Sequence, residues 1–403
     1  MLAVLTSSPS AAQPPEVQFE FQQLAKSLNV CTATPHGTIQ PGGDITAALQ
    51  WACSHAEEHQ QPVAIPAGKW LISETITLPA RSGFTLLGSG WGSPDANRSH
   101  SGVRTVLKWT GEEGGTMIRH ISRDVQIGNF TLDGNGKAAI GLLFDKEGRG
   151  IGTGKTIIEP LYCTRMKHGV QIGANEGTGN ADTLQFRWLE GQEVSESVLH
   201  MVNKMGMSIT VEFLQNVSNG KTNQVGVLVD GGGMLWVQSS LTTHRGTLLK
   251  INKDAATGKN NGFFRFSNTK ADAQAKDGFT LVDSVCLSQI RLLFDGGINS
   301  SDAMRIKLAG SNFLHLSDFS SRFTSITGKS HRAWGTPAVL LDACRCWNDP
   351  KQALQGDVNL RMRDCTNWQS KWLENFDSQT AAESKDEPPA AEAQIEAQPA
   401  TDS

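Results

Sequence analysis

The feature that most constrains the fold is a repeat of short apolar segments at a nearly constant interval along the chain. Segments that begin at Ile140, His168 and Val225 each continue with a glycine and further apolar residues. The interval from His168 to Val225 is about twice that from Ile140 to His168, so Ser197–Met201 occupies the missing position. Short repeats with no helix between them predict parallel strands stacked one above another.

A second column obeys the same spacing. Phe130, Ile158, Phe186 and Leu214 are apolar, and each is followed by a polar residue. Alternation that keeps its phase over several repeats predicts strands with one face in a core and the other in solvent. Glu159 and Arg187 then become neighbours on the outer face, about 4.8 Å apart.

Other β architectures do not account for this period. A doubly wound sheet would need a helix in every crossover, and a jelly roll would not keep a fixed repeat length. The sequence therefore predicts an all-β fold, a solenoid of parallel strands called a parallel β-helix, over residues 30–376.

One helix is predicted near the start of this domain, over residues 44–60. Asp44 is a candidate N-cap, and a stripe of period 3.6 follows it at Ile45, Ala48, Leu49, Ala52 and Ala56. The first rung of a solenoid exposes strand edges and core, so we expect this helix to cap that end. Regularly spaced aromatic residues between Trp368 and Phe376 predict a second helix at the other end.

The two ends of the chain differ in composition from the body. Residues 1–29 form a leader in which Ser10 and Ala12 are spaced as at a signal-peptide cleavage site, without a basic region before them. We interpret this as a truncated export signal, which predicts a secreted or cell-envelope protein. Residues 377–403 hold seven acids and one lysine and almost no large apolar side chain, which predicts a disordered acidic tail.

Charge and hydropathy exclude several classes of function. The net charge is -4 and no basic block occurs, which argues against a nucleic-acid partner. No stretch approaches the roughly 20 apolar residues of a membrane span. Seven cysteines are scattered, and the pair Cys344 and Cys346 has no second pair or histidine cluster nearby, so we expect packed thiols and no metal site.

Three ordered motifs carry a resemblance to a known family. They are Gly43-Asp44-Ile-Thr-Ala-Ala-Leu49, then Pro66-Ala-Gly68-Lys-Trp70, then Phe84-Thr-Leu-Leu-Gly88-Ser-Gly90. This opening resembles that of pectate-lyase-superfamily proteins, with Trp70 where a tyrosine is usual. The resemblance implies a right-handed parallel β-helix, a polysaccharide as partner and, in some members, a homotrimer.

The resemblance also implies a chemistry. In lyases of this family a metal or another cation neutralises the uronate carboxylate while Arg, Lys or His removes a proton, so Ca²⁺ is the expected cofactor if this chain is a lyase. Arg165, Lys167, His168 and Arg187 supply the matching residue types. We assign His168 and Arg187 as catalytic candidates, and Arg165 and Lys167 as substrate-binding candidates.

Hydrolysis would instead need two carboxylates, about 5–9.5 Å apart. The acids that the pattern offers are Asp133, Glu159 and Asp182, of which Asp133 is expected to be the most exposed. Asp133 and Glu159 are catalytic candidates and Asp182 is a substrate-binding candidate. Trp109 lies beside Lys108 and Gly111 and is expected to be exposed and to stack on a sugar ring.

A second charged column, at Lys137, Arg165, Glu193 and Lys221, keeps the same interval and predicts a charged groove. Two classes of function stay open. A polysaccharide lyase or glycoside hydrolase predicts that Glu159 and Arg187 share a cleft with Asp133, Arg165 or His168. A non-catalytic β-helix, used for adhesion or as a tailspike-like surface protein, predicts dispersed charges and an aromatic strip.

Overall fold

The chain is described by a computed structural model. The described residues are 28–30, 36–59, 61–80, 82–94, 104–145, 152–175, 181–203, 206–218, 224–243, 246–252, 262–272, 278–299, 303–333, 335–367, 369 and 371–378. Most of the predicted leader and almost all of the predicted acidic tail lie outside the described residues.

Parallel strands dominate the structure. The first half contains β1 (Leu28–Asn29), β2 (Val63–Ile65), β3 (Gly68–Ile72), β4 (Ile76–Thr77), β5 (Thr85–Gly88), β6 (Thr105–Trp109), β7 (Thr116–His120), β8 (Gln126–Gly128), β9 (Phe130–Asp133), β10 (Ile140–Phe144), β11 (Thr156–Ile158), β12 (Leu161–Thr164), β13 (His168–Ile172), β14 (Leu184–Gln192) and β15 (Ser197–Met201). The second half contains β16 (Ile209–Val217), β17 (Val225–Val229), β18 (Gly233–Thr243), β19 (Thr247–Ile251), β20 (Gly262–Asp272), β21 (Phe279–Ser284), β22 (Ile290–Asn299), β23 (Met304–Ala309), β24 (Asn312–Ser321), β25 (Phe323–Lys329), β26 (Ala338–Asp342), β27 (Arg345–Cys346), β28 (Leu354–Gly356), β29 (Asn359–Arg363), β30 (Thr366–Asn367) and β31 (Phe376–Asp377).

These strands form two sheets wound into a solenoid. One sheet is a ladder of eleven described strands running from β4 through β10, β13, β15 and β17 to β28. The other contains twenty described strands, because early rungs contribute two short strands, such as β11 and β12, where later rungs contribute one long strand, such as β14. The predicted parallel β-helix is confirmed.

The register confirms the first repeat column. Ile140 pairs with His168, His168 with Ser197, and Ser197 with Val225. Two residues after each of these positions, the side chain points inward and is buried. The side chains that this sheet contributes to the core at this position therefore form one aliphatic column: Leu142, Val170, Leu199, Val227, Leu249, Val282, Ile306 and Ile326.

The second column is confirmed in one pairing and wrong in two. Ile158 pairs with Phe186, but Phe130 pairs with Leu161, and Leu214 with Leu189. The rung from Phe130 to Leu161 is longer than the rung from Leu161 to Leu189, and the rung from Leu189 to Leu214 is shorter again. The assumption of a constant spacing therefore assigned residues from two different core columns to one column. Turns of different length change the number of residues in a rung but leave the pairing of the strands intact.

The single described α-helix, α1 (Thr46–His59), caps the N-terminal end as predicted. It buries Ala48, Leu49, Ala52, Cys53 and Ala56 against the first rung. Gln50 fixes its position, since its side-chain amide donates to Thr77 O and accepts from Thr77 N, each at 3.0 Å. A short 3₁₀ helix, Pro350–Ala353, lies near the other end.

Asp44 begins α1 by accepting a hydrogen bond from Thr46 N at 2.8 Å. Replacing Asp44 by alanine leaves that N–H without its side-chain acceptor, and we expect the free energy of unfolding to fall by about 1 kcal/mol. Urea denaturation measures this loss. Asp44→Asn keeps an acceptor oxygen and serves as the control; equal losses in the two variants would contradict the capping role.

The motifs that carried the family resemblance have local structural causes. Gly68 adopts φ 140°, and a Cβ there would lie 3.1 Å from the Trp70 ring. Trp70 is buried and its Nε1 donates to Pro66 O at 2.9 Å. Glycine is therefore required for the indole to fold back over the turn.

The C-terminal helix prediction is wrong. Residues 371–375 do not form a helix. Phe376–Asp377 forms β31, which pairs with β29 in the antiparallel direction. Trp372 is 74% exposed, and Trp368 lies outside the described residues. In so short a segment, aromatic residues at strand ends and in turns can have the same spacing as residues on one face of a helix.

Two further observations concern the cysteines and the membrane-spanning segments. Six cysteines in the described part are free thiols, and all six are buried, as predicted; Cys31 lies outside it. Within the described ranges, no helix has the length and apolar character needed to cross a membrane.

Candidate functional site

Four consecutive turns stack to form an open groove of about 690 Å³ on one edge of the solenoid. These turns join β6 to β7, β9 to β10, β12 to β13 and β14 to β15. Asn135, Arg165 and Glu193, one in each of the last three turns, enter the left-handed region with φ of 54°, 55° and 56°, as do Gly114 and Gly136 with φ of 80° and 73°. Backbone bonds link the turns, for example Gly136 N to Arg165 O at 2.7 Å.

The groove is lined by charged side chains of both signs. Lys137, Arg165 and Glu193 all line it, as their spacing predicted, while Lys221 lies outside the described residues. The other charged residues of the lining are Glu113, Lys167 and Glu196. Three cationic and three anionic side chains therefore share one surface, so the groove has no strong net charge.

Asp133 supports the groove from below. It is fully buried, and its carboxylate accepts from Arg165 Nε at 2.9 Å and Arg165 Nη2 at 2.5 Å. Asn135 N adds a third bond at 3.0 Å. The expectation that Asp133 is the most exposed acid was wrong, because the Arg165 side chain from the next turn covers it. A bidentate pair of this kind fixes the guanidinium in one orientation.

Lys167 and His168 both contact Glu196. Lys167 Nζ lies 3.0 Å and His168 Nε2 lies 3.2 Å from the Glu196 carboxylate. His168 Nδ1 lies 2.8 Å from Ser197 Oγ, and its ring stacks on His200 at 4.4 Å. The network assigns Nε2 as donor to Glu196 and Nδ1 as acceptor from Ser197.

Burial lowers the pKa of His168 to about 3, and the positive charges of His200 and Lys167 add to this effect while Asp230 opposes it. The imidazole is therefore neutral at pH 7 with both nitrogens engaged in hydrogen bonds. A catalytic base works best when its pKa lies near the working pH. This geometry suits His168 to orienting Glu196 more than to removing a proton.

Glu159 and Arg187 lie elsewhere. They are outward neighbours, as predicted: Glu159 directly follows β11, Arg187 lies on β14, and Arg187 Nε is 3.6 Å from Glu159 Oε2. Glu159 also accepts from Gln126 Nε2 at 2.7 Å. Neither Glu159 nor Arg187 lines the groove.

Two substrate-binding candidates also lie away from the groove. Trp109 is 2% exposed, so the expectation of an exposed ring was wrong; Gly111 and Gly115 leave room for its indole, which bonds to Glu112 O at 2.9 Å. Asp182 is half-buried in the turn before β14, and its backbone carbonyl accepts from Lys155 N at 2.8 Å.

An aromatic strip runs along the outer face of the larger sheet. Trp91 and Trp188 lie 5.2 Å apart between ring centroids, and Trp188 stacks on Phe213 at 4.0 Å. All three rings are partly exposed. A strip of aromatic side chains is the feature expected of a non-catalytic glycan-binding surface.

Calcium does not fit the groove. Its three glutamates alternate with three cationic side chains, whereas Ca²⁺ takes several oxygen ligands together. Across the described residues, three potential ligand atoms come within 4.8 Å of one another at one place, on α1, which does not line the groove. We therefore derive no step through a calcium ion.

Among the acids of the groove, Glu113 and Glu196 were not predicted from the sequence, and Glu193 was predicted only as part of a charged column. Glu196 immediately precedes the strand that begins at Ser197, as Lys167 precedes the strand that begins at His168. The position just before each repeated strand is therefore the signal that marks Glu196, because successive strands begin at the same edge of the solenoid. Glu113 lies three residues before β7 and does not share that position.

Comparison with known proteins supports the fold. No protein-family model matches the chain, and no curated protein sequence matches it. Among solved structures, the Agl-KA catalytic domain is 12% identical with a TM-score of 0.50, over 88% of this chain and 70% of that one.

Two other solved structures are similar to this chain with lower TM-scores. The A-module of the Azotobacter vinelandii mannuronan C-5 epimerase AlgE4 is 13% identical, with a TM-score of 0.48 over 84% of this chain and 97% of that one. The tailspike gp49 of Acinetobacter baumannii bacteriophage Fri1, a capsular polysaccharide depolymerase, is 12% identical, with a TM-score of 0.45 over 89% of this chain and 66% of that one. The chain spans between 64% and 99% of the length of these and other similar structures. Together with the register of its strands, the likeness to the Agl-KA catalytic domain identifies the chain as a right-handed parallel β-helix protein of the pectate-lyase-like fold.

Proposed function

We propose that the chain is a glycoside hydrolase that binds a polysaccharide in the groove between the stacked turns. The observation that carries this proposal is that three carboxylates and three cationic side chains line one open groove. Its volume, about 690 Å³, lies within the range of ligand sites. The family resemblance carried by the opening motifs of the sequence implies the same class of partner.

The balance of charge favours a neutral or weakly charged glycan over a polyuronate. A polyuronate carries one negative charge per sugar, and the glutamates of the groove would repel it. Arg165 already pairs with Asp133, and Lys167 pairs with Glu196, so both predicted uronate-neutralising side chains are engaged. This makes hydrolysis a better fit to the groove than a lyase reaction.

Hydrolysis needs one carboxylate to activate the attacking group and one carboxylic acid to protonate the leaving oxygen. Glu196 suits the first role, because Lys167 and His168 both direct N–H groups at its carboxylate. Glu193 lines the same groove and precedes Glu196 by three residues in the chain. The Cα atoms of Glu193 and Glu196 are therefore at most about 11 Å apart. The products would gain the elements of water across the broken glycosidic bond.

The predicted catalytic pair Glu159 and Arg187 is outside this proposal. Its position on an outer strand, with Glu159 also bonded to Gln126, suits a surface ion-pair ladder worth under about 1 kcal/mol. Substitution of Glu159 therefore provides a matched control for substitution of a groove carboxylate.

The test is release of reducing ends from a panel of neutral glucans, capsular glycans and polyuronates. We expect at least one neutral or weakly charged glycan to be cleaved, and Glu196→Gln and Glu193→Gln each to lower kcat by about 10²-fold or more. Glu159→Gln should retain the wild-type rate. Unsaturated uronate products in place of hydrolysis products, or full activity of Glu196→Gln, would overturn the proposal.

The aromatic strip favours a second candidate, a non-catalytic glycan-binding β-helix. Trp188 lies between Trp91 and Phe213, so a glycan stacked there would lose affinity in Trp188→Ala. A glycan array that shows binding without cleavage, abolished by Trp188→Ala and unaffected by Glu196→Gln, would establish this function. Export to the cell surface is part of both proposals, since glycans of this kind lie outside the cell. Assembly as a homotrimer is also part of both, because the family resemblance implies it for some members.

A further inference from the structure

The last two turns of α1 carry three side chains suited to bind a metal ion. His55, Glu58 and His59 occupy positions i, i+3 and i+4, which share one face of a helix. One ligand atom from each lies within 4.8 Å of the other two. Glu58 and His59 are exposed and His55 is half-buried, so solvent reaches all three.

A hydrogen bond already fixes the tautomer of His59. His59 Nδ1 lies 2.9 Å from His55 O, a carbonyl that can only accept, so Nδ1 carries the proton and Nε2 keeps its lone pair. Histidines that bind metals almost always donate their other ring N–H to a carbonyl or carboxylate in this way. His55 is held between two rings, 4.7 Å from Trp51 and 4.0 Å from His59.

The donor set selects the metal. Two imidazoles and one carboxylate match the ligands of Zn²⁺ and of neighbouring divalent transition metals, whereas Ca²⁺ and Mg²⁺ take mainly oxygen ligands. Three protein ligands leave a position for water. The carboxyl end of a helix also carries a partial negative charge that favours a cation.

We propose that His55, Glu58 and His59 bind one divalent transition-metal ion of the zinc class on the capping helix. The site does not line the groove, so it is independent of the proposed hydrolase function. A bound ion would link the last turn of α1 to the turn before it. Because α1 buries five side chains against the first rung, binding would stabilise the end of the solenoid that this helix covers.

The test is titration of the full chain, freed of any histidine affinity tag, with Zn²⁺ by calorimetry and with Co²⁺ by visible absorption. We expect saturable binding of one ion, a ligand-field band from Co²⁺ with nitrogen ligands, and a melting temperature that rises with Zn²⁺ concentration. His59→Ala and His55→Ala should each weaken binding at least tenfold, and Glu58→Gln less.

Two variants are matched controls. Glu57→Gln changes a carboxylate of the same helix that is outside the set, and His331→Ala removes an exposed histidine elsewhere; both should bind as the wild type does. Glu58 and His59 are exposed and none of the three side chains is buried in the core, so their replacement should leave the fold intact, which circular dichroism verifies. Absence of saturable binding by the wild type, or undiminished binding by His59→Ala, would overturn the proposal.

Discussion

Replacing Arg165 by glutamine is expected to lower the free energy of unfolding by about 3 kcal/mol, because the buried Asp133 carboxylate loses its charged partner, whereas Arg165 itself is 36% exposed and already partly solvated. The Asp133 carboxylate beneath Arg165 is fully buried and takes two of its three hydrogen bonds from that guanidinium. Chemical denaturation measures the change.

The control for Arg165→Gln is Arg363→Gln. Arg363 pairs with Asp342 through the same two nitrogens, but the arginine side chain is 61% exposed. Solvent screens exposed ion pairs and leaves them with little effect on stability, so this variant should be close to the wild type. Equal losses in the two variants would show that Asp133 does not depend on Arg165.

Acidification below pH 6.5 is expected to destabilise the protein steeply. Burial lowers the pKa of His120 to about 3, and a backbone hydrogen bond with Thr153 acts in the opposite direction. The pKa of His168 is lowered to about 3 as well. Each imidazole stays neutral in the folded chain while it gains a proton in the unfolded chain, where its pKa is about 6.5.

The unfolded state therefore binds more protons between pH 6.5 and 3, so stability falls as the pH falls through this window and is fully present above it. Each histidine contributes a slope of about 1.4 kcal/mol per pH unit well inside the window. Denaturation midpoints between pH 4.5 and 7 measure the slope. It should decrease by that amount in His120→Leu and be unaffected in His331→Leu, whose histidine is exposed; an unchanged slope in His120→Leu would contradict the assignment.

The strands, the cap and the stacking could be predicted from the sequence because these depend on local patterns. Asp44 caps α1 through a residue two positions away, and Gly68 permits the Trp70 turn within the same short segment. The inward column through Leu142 and Val170 repeats because every rung must fill the same core.

The candidate site was harder to predict because its geometry depends on turns. The rung from Phe130 to Leu161 is longer than the next, and no residue pattern marks that difference. Asp133 was expected at the surface because its own segment has the composition of a turn, but Arg165, from the following rung, covers it. Glu196 contacts Lys167 and His168 because two turns stack on each other. The regular spacing in the sequence predicted such stacking only for Lys137, Arg165 and Glu193.

The central claim, that the stacked turns form a polysaccharide-cleaving groove, is tested most directly by a crystal structure of Glu196→Gln with an oligosaccharide of a glycan that the wild type cleaves or binds. We predict sugar rings in contact with Lys137, Arg165 and Glu193, with a glycosidic oxygen beside the Glu193 carboxyl group. Sugar rings stacked along Trp91, Trp188 and Phe213, with the groove holding solvent alone, would contradict the account.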